Sequence, residues 1–185
     1  YTIGSTYSIT GLKNYMQFIN DPIALTALLN NFKFMFLNLI VSLPGGLIIA
    51  VLTYKVSHSL IKNLMKFVFY IVIALPLAGA GTVYLWIFQP IGPLNLLLRR
   101  VGLEALAINW LGDSRYSIYA PIMTSIWILI AYVFIFTYTG LVSIPRTYEE
   151  AAMIDGAGEL EKLIYIRLPL LKPSIIISVY MIVVT

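Results

Sequence analysis

Long apolar runs separated by short polar segments form the pattern of this chain. A helix needs about 20 apolar residues to cross a bilayer. Three stretches without Asp, Glu, Lys or Arg are long enough, and a fourth apolar run follows Lys172. The pattern therefore predicts an all-α, polytopic helix bundle. Its expected membrane spans lie at about 34–54, 67–88, 118–142 and 174–185.

Both ends of the chain suggest a piece of a longer membrane protein. It begins at Tyr1 with neither a basic start nor an apolar core of the kind a signal peptide has. The last apolar run has roughly half the length that a span needs. We therefore expect residues 1–185 to be one part of a transmembrane domain whose fourth span is truncated.

The composition favours a membrane and excludes several kinds of site. Hydrophobic residues make up 60% of the chain and charged residues 11%, whereas soluble domains have about 25% charged residues. The chain has no cysteine and one histidine, His58, so we expect no disulfide, thiolate metal site or multi-histidine site. We expect lipid around this chain and no nucleic acid partner.

Lysine and arginine positions predict the orientation of the spans. Segments 55–66 and 143–173 hold seven basic residues, and segments 1–33 and 90–116 hold five. Cytoplasmic loops carry an excess of basic residues. The first pair of segments is therefore predicted to be cytoplasmic and the second pair extracytoplasmic.

Proline and glycine interrupt two predicted spans, in the stretches "LPGG" (43–46) and "LPLAGAGT" (75–82). Such breaks suit either a bundle that lines a passage or tight helix packing, and both interpretations remain open. The spans contain no ionisable Asp, Glu, Lys or Arg, which argues against a proton-coupled pump. Segment 90–116 is either a plain loop or a surface helix anchored by Trp110 and Tyr116.

A polar segment near the C-terminus predicts two short helices. Thr147 and Glu150 have the spacing of a capping box, and Gly156 is expected to end the first helix. Ala151 and Ala152 are expected to leave one side of that helix without bulk. Asp155 would lie at the helix C-terminus, where the helix dipole disfavours a carboxylate, so its charge should be compensated.

The second helix of this segment is predicted over "ELEKLIYIRL", residues 159–168. Its expected apolar side contains Leu160, Leu163, Ile164 and Ile166, opposite a polar side with Glu159, Glu161 and Lys162. Leu168 and Pro169 are expected to end it. From these patterns alone, the segment either joins two spans or docks on a cytoplasmic partner.

The stretch "EEAAMIDGAGELEKLIYIRLP" resembles the EAA signature of ATP-binding-cassette importer permeases. That signature reads E-A-A-x-x-D-G-A, followed after about a dozen residues by I-x-L-P. Arg167 occupies a position where the family more often has threonine. The matching residues are Glu150, Ala151, Ala152, Asp155, Gly156, Ala157, Ile166, Leu168 and Pro169. The stretches "GLKNYMQFINDP", "NWLGDS" and "YLWIFQPIGPLNLLL" are similar to the maltose-type carbohydrate branch.

The resemblance implies a type I importer permease whose EAA loop is a coupling helix. Such a helix docks on a cytoplasmic dimer of ABC ATPase subunits, which bind and hydrolyse the ATP. This chain has no G-x-x-x-x-G-K-[ST] motif, so it is expected to bind no cofactor itself. The implied partners also include a second, non-identical permease subunit and an extracytoplasmic solute-binding protein. The implied location is the cytoplasmic membrane of a bacterium or archaeon.

The family also implies the cargo and its path. A sugar or oligosaccharide is expected, with glycerol phosphate or another polar solute as the alternative and a non-transporting scaffold as a remote one. The spans show no Ser/His, paired-Asp or metal arrangement for an intramembrane enzyme, so no catalytic or metal-binding residue is expected. Tyr132, Ile128 and Leu129 are the candidate substrate-pathway residues, although Tyr132 also suits packing.

Overall fold

The computed structural model describes residues 11–185, all the regular elements of which are helical. The predicted all-α class is therefore confirmed. The helices are α1 (Lys13–Ile19), α2 (Pro22–Lys55), α3 (Ser59–Ala74), α4 (Leu77–Ile87), α5 (Pro93–Arg100), α6 (Tyr119–Ser143), α7 (Arg146–Ile154), α8 (Glu159–Leu170) and α9 (Lys172–Val184).

The chain forms two compact units, Tyr1–Phe34 and Met35–Thr185. In the first unit, residues 1–10 lie outside the described part, and α1 and the start of α2 follow. The second unit holds the rest of α2 and every later helix. The contacts described below all lie within the second unit.

Membrane-crossing length is reached by α2 and α6 among the described helices. The count becomes four if each of two bent pairs, α3 with α4 and α8 with α9, forms one span. The observed α6 agrees closely with the predicted span 118–142. By contrast, α2 begins at Pro22, well before residue 34, within a segment predicted to be extracytoplasmic.

The predicted second span, 67–88, is two helices instead of one. Helix α3 already begins at Ser59, and the chain becomes extended at Leu75 and Pro76 before α4. Proline disfavours helical backbone in the residue before it, which explains the interruption. In α2, however, Pro44 lies inside a continuous helix, so the expected break at "LPGG" does not form.

The core forms around α6, which packs against α3 and α9. Phe134 and Leu141 of α6 are buried together with Ala50 of α2 and Leu171, which lies between α8 and α9. At Gly46 of α2, a Cβ would lie about 2.5 Å from the Val133 Cβ. Because glycine is needed for this close approach, Gly46 supports the packing interpretation of "LPGG".

Polar side chains also connect α2 and α6 inside this apolar bundle. Ser125 Oγ donates a hydrogen bond to Asn38 Oδ1 at 2.9 Å, and Ser42 Oγ donates one to the Ile126 carbonyl at 3.4 Å. Asn38 and Ser42 are fully buried. A buried polar group is costly unless it is paired, so these bonds help to define how the two helices align.

The segment between α4 and α6 is ordered around one buried amide, Asn95 of α5. Its Nδ2 donates to the Ile108 carbonyl at 2.7 Å, and its Oδ1 accepts from the Trp110 indole at 2.9 Å. We call residues 88–116 the Asn95 loop. The helix predicted as one alternative is present as α5, but Trp110 is half-buried and hydrogen-bonded to Asn95, not a free surface anchor.

Candidate functional site

The first helix of the EAA segment, which we define as residues 144–171, begins without the predicted capping box. Helix α7 starts at Arg146 with Pro145 as its N-cap and no side-chain cap hydrogen bond. Thr147 therefore lies inside the helix, where its hydroxyl cannot cap the first turn. A carboxylate instead caps the start of α8, where Glu161 Oε2 accepts from the Gly158 N–H at 2.7 Å.

The end of α7 confirms the predicted glycine stop. Gly156 has φ +81°, a left-handed conformation that favours glycine. The Gly156 N–H donates to the Met153 carbonyl at 3.1 Å, and the Ala157 N–H donates to the Ala152 carbonyl at 2.9 Å. Together these bonds form a Schellman motif, which satisfies carbonyls that the helix end would otherwise leave open.

Asp155 lies at the C-cap of α7, as predicted, and its side chain is exposed. Within the described residues, its carboxylate has no hydrogen-bond or ion-pair partner. The expectation that a neighbouring group compensates this charge is therefore wrong for this chain alone, and Glu161 supplies the cap of the next helix. An exposed carboxylate beside a helix end is available to a partner.

The two alanines of α7 do not share a free side. Ala152 is buried, with 8% of its surface exposed, whereas Ala151 and Glu150 are exposed. Successive helical residues differ by about 100° in direction, which separates neighbours onto different faces. Two further apolar side chains of α7 are exposed, Met153 at 54% and Ile154 at 87%.

The two halves of the EAA motif meet in one shallow hollow. It has a volume of about 340 Å³ and is lined by Asp155, Gly156, Ala157, Glu161, Tyr165 and Ile166. Of the remaining motif residues, Leu168 is half-buried and Pro169 is exposed. Helix α8 continues to Leu170, so Leu168 and Pro169 do not end it as predicted.

Behind α7, Arg167 of α8 is almost fully buried, with 3% of its side chain exposed. Its Nε donates to Glu149 Oε1 at 2.8 Å, and its Nη1 donates to Glu159 Oε2 at 3.2 Å. Glu149 is on α7 and Glu159 begins α8. One guanidinium therefore joins the two short helices of the EAA segment.

The side chains of Glu149, Glu159 and Arg167 also contact the C-terminal end of α2. The Tyr54 hydroxyl donates to Glu149 Oε1 at 3.3 Å, and the Arg167 guanidinium carbon lies 5.3 Å from the centre of the Tyr54 ring. Lys55 Nζ lies 3.5 Å from Glu159 Oε2. Glu159 Oε1 also pairs with Lys162. We call Tyr54, Lys55, Glu149, Glu159, Lys162 and Arg167 the charge cluster.

Both carboxylates of the charge cluster titrate below the usual range for glutamate. The hydrogen bond from Arg167 is the main cause that lowers the pKa of Glu149. The Lys162 hydrogen bond, helped by Arg167, lowers the pKa of Glu159 to about 2. These carboxylates are therefore ionised at neutral pH, which preserves their ion pairs with Arg167, Lys162 and Lys55.

Helix α8 departs in part from the predicted division into sides: Lys162 of the polar side is buried, whereas Leu163 of the apolar side packs on the core and Glu161 is exposed. Leu160, Ile164 and Tyr165 are exposed, at 67%, 45% and 76%, while Lys162 and Arg167 are buried. The cause is a π-helix over Lys162–Arg167. Residues five apart would point about 140° away from each other in an α-helix. The wider π turn brings them to one side.

The candidate substrate-pathway residues of α6 have different environments. Tyr132 is half-buried and stacks on Phe136, with ring centres 6.4 Å apart, and Ile128 is also half-buried. Leu129 is 2% exposed and packs in a core cluster with Val133 and Ile182. Leu129 thus has the surroundings of a packing residue in this chain.

The sequence interpretation missed the charge cluster as a unit. Its residues come from positions 54–55, 149 and 159–167, which only folding brings together. Two features of the sequence pointed to it. Several of the few charged residues of the chain fall in this segment, and Arg167 departs from the family pattern. Within residues 11–185, no group of three or more His, Asp or Glu side chains could hold a metal ion.

A family profile described as "Binding-protein-dependent transport system inner membrane component" matches residues 42–184. A probable ABC transporter permease of Pyrococcus horikoshii is 34% identical over 173 residues, covering 92% of this chain and 58% of the relative. The sulfoquinovosyl glycerol transport system permease SmoG of Agrobacterium fabrum is 32% identical over 185 residues, covering 96% and 56%.

A third relative is named for a different solute. The sn-glycerol-3-phosphate transport system permease UgpA of Pectobacterium atrosepticum is 28% identical over 182 residues, covering 98% of this chain and 59% of the relative. The chain thus spans a little over half the length of these curated relatives.

Two crystal structures share the fold. One is a bacterial ABC transporter involved in the import of the acidic polysaccharide alginate, with TM-score 0.78 and 19% identity over 94% of this chain and 60% of that one. The other is a bacterial alginate ABC transporter with its alginate pentasaccharide-bound periplasmic protein, with TM-score 0.80 and 18% identity over 93% and 59%.

Proposed function

We propose that this chain, which belongs to the family of binding-protein-dependent transport system inner membrane components, is part of a permease subunit in an ATP-driven importer. The solute we propose is a sugar or oligosaccharide. The relative named for sulfoquinovosyl glycerol supports this class. Glycerol phosphate is the second candidate, because another relative is named for sn-glycerol-3-phosphate.

The observation that carries the proposal is the outward face of the EAA segment. Ile154 of α7 is exposed beside the hollow at Gly156 and lies about 140° around the helix from Glu149, whose side is held by the charge cluster. A short helix with an apolar exposed face and a fixed back suits docking on a partner protein. In this proposal the partner is a cytoplasmic ABC ATPase, with ATP bound there.

The remaining partners and the orientation follow from the same proposal. Segments 55–66 and 143–173 face the cytoplasm of a bacterium or archaeon, in its cytoplasmic membrane. The Asn95 loop lies on the outer side, where a solute-binding protein delivers the solute. A second, non-identical permease subunit completes the passage. Crystallisation of a fold relative with its periplasmic protein supports this assembly.

Tyr132 and Ile128 are the residues of α6 that we propose to line the solute path. Both are half-buried within this chain and so retain surface for another group to contact. A tyrosine ring with its hydroxyl suits a sugar, which has both apolar faces and hydroxyls. The buried Leu129 would support these residues from the core.

Co-purification of an ATPase with the full-length protein tests the docking proposal. Gly156→Val should reduce the amount of ATPase retained in mild detergent, because a left-handed backbone costs a non-glycine residue about 1–2 kcal/mol. Membrane insertion should be unchanged. Quantitative immunoblotting of the purified complex gives the ratio of ATPase to permease.

Gly102→Val is the matched control. Gly102 also has positive φ, +79°, and like Gly156 has no atom within 4 Å of an added Cβ. The strain is therefore comparable, but it lies in the Asn95 loop. Equal ATPase retention by the Gly156→Val variant and the wild type would contradict docking through the EAA segment, as would equal losses in both variants.

A further inference from the structure

Three separate parts of the chain meet at the Arg167 side chain. Glu149 belongs to α7, Glu159 to the start of α8, and Tyr54 to the end of α2. Lys55 adds a second connection from α2 to Glu159. The EAA segment is therefore tied to the end of α2 as well as being folded on itself.

The burial of Arg167 makes this connection specific. Removing a guanidinium from water is costly, and the attraction to its partners repays that cost only with good geometry. The 2.8 Å bond to Glu149, the second bond to Glu159 and the Tyr54 ring provide such geometry. If the EAA segment moved away from α2, Glu149 and Arg167 would lose the Tyr54 hydroxyl and ring, and Glu159 would lose Lys55. One relative position of α2 and the EAA segment is therefore preferred.

The π-helix makes this arrangement possible. Lys162 and Arg167, at its two ends, both point inward and both contact Glu159. In a regular α-helix, one of them would leave this side. Insertion of a wider turn at a functional position is a known use of π-helical geometry.

We infer that Arg167 is a positioning residue that clamps the EAA segment to the cytoplasmic end of α2, so that both move as one body when the ATPase moves α7. This inference rests on the proposed function. It assigns to α2, in contact with α6 at Gly46 and Asn38, the task of carrying the movement into the bundle. Breaking the clamp should leave docking intact and lose the coordinated movement.

A distance measurement in the assembled transporter tests the clamp. Residues 1–185 contain no cysteine, so exposed Leu52 of α2 and Leu160 of α8 can be replaced by cysteine and spin-labelled. Any cysteine elsewhere in the full-length chain is replaced by serine. Double electron–electron resonance then gives the distance between the labels without nucleotide and with a non-hydrolysable ATP analogue.

We expect one narrow distance in the wild-type complex, unchanged by the nucleotide. In Arg167→Gln, the distribution should broaden and its mean should shift when the analogue binds, while the ATPase remains bound. Arg167→Lys should be intermediate, since lysine keeps the charge but cannot contact two carboxylates with a planar fork. The matched control, Lys172→Gln, removes an exposed charge next to α8 and should behave as the wild type.

The outcomes separate this inference from the proposed function. If no ATPase co-purifies with the wild type, the proposed function fails. If the ATPase is present but the nucleotide shifts the wild-type distance, or the Arg167→Gln distance stays narrow and unshifted, the clamp is wrong. The distance is also measured in the permease without ATPase, together with Glu149→Gln. If neither Arg167→Gln nor Glu149→Gln broadens the distance distribution in the permease without ATPase, the clamp is wrong. This result counts even where a variant no longer assembles with the ATPase.

Discussion

The EAA segment and the Asn95 loop are ordered by different chemistry. In the EAA segment, a buried guanidinium joins two carboxylates and an aromatic ring. In the Asn95 loop, a buried amide exchanges hydrogen bonds with a carbonyl and an indole, all of them neutral. Each has one central side chain that holds several turns of chain together.

The two central side chains differ in how far away along the chain their partners lie. A neutral amide is satisfied by local partners within about fifteen residues, so the Asn95 loop is defined by its own sequence. The charge cluster needs residues from α2, α7 and α8 at the same time. A local centre fixes the shape of a loop, whereas a non-local one fixes the position of a segment relative to its neighbours.

Asn95→Ala should have the largest effect of these changes, and the effect should be confined to the Asn95 loop. The change leaves the Ile108 carbonyl and the Trp110 N–H without their partner, and such losses cost about 1–3 kcal/mol. Hydrogen exchange by mass spectrometry should show faster exchange in residues 93–110 and none of this change in the EAA segment. Asn109→Ala is the control, because the exposed Asn109 side chain accepts a turn hydrogen bond from the Gly112 N–H. Similar exchange in the two variants would disprove the central role of Asn95.

Acidification should destabilise the EAA segment and not the Asn95 loop. We expect this effect to be smaller than that of Asn95→Ala. Because the pKa values of Glu149 and Glu159 are lowered in the fold, their ionised forms stabilise it. That contribution is complete above the ordinary glutamate pKa, about 4.3. It is lost as the pH falls through the lowered values, down to about 2 for Glu159.

Between about pH 4 and pH 2, the EAA segment should therefore open more often. The bonds of Asn95 involve no titrating group, so peptides within 93–110 should not follow. Hydrogen exchange, corrected for the pH dependence of intrinsic exchange, is the measurement. Equal acid sensitivity in both regions would show that the charges are not what distinguishes them.

Tyr54→Phe should have the smallest effect. The change removes the 3.3 Å bond to Glu149 but keeps the ring beneath the Arg167 guanidinium. We expect a loss of about 1 kcal/mol in the local stability of α7, because the bond is long at 3.3 Å although its acceptor is ionised. Exchange of residues 146–154 measures it. A loss as large as that from Arg167→Gln would place the main contact at the hydroxyl and not at the ion pair.

Local signals predicted their elements well. The uncharged run around α6 predicted that helix almost to the residue, because helix length and apolarity are local properties. Gly156 predicted the end of α7, because the left-handed conformation at a C-terminus favours glycine. Asp155, Gly156, Ala157 and Ile166 of the EAA motif line one hollow, and their role in coupling stays a prediction.

Predictions based on helical periodicity failed where the helix was irregular. The predicted apolar side of α8 includes Leu160 and Ile164, but both are exposed. The π-helix redirects α8 so that Lys162 and Arg167 face the core. The capping box at Thr147 failed for a different reason, because α7 begins at Arg146, one residue before Thr147.

The amino-acid sequence by itself determined that this protein is an all-α membrane chain with an EAA segment whose first helix ends at a glycine. These properties depend on residue type and near neighbours. Only the tertiary structure decided that Arg167 is buried, which carboxylates it binds and that Tyr54 lies against it. Burying a charge requires partners to arrive from distant positions in one geometry, and that geometry exists only once α2, α7 and α8 have packed together.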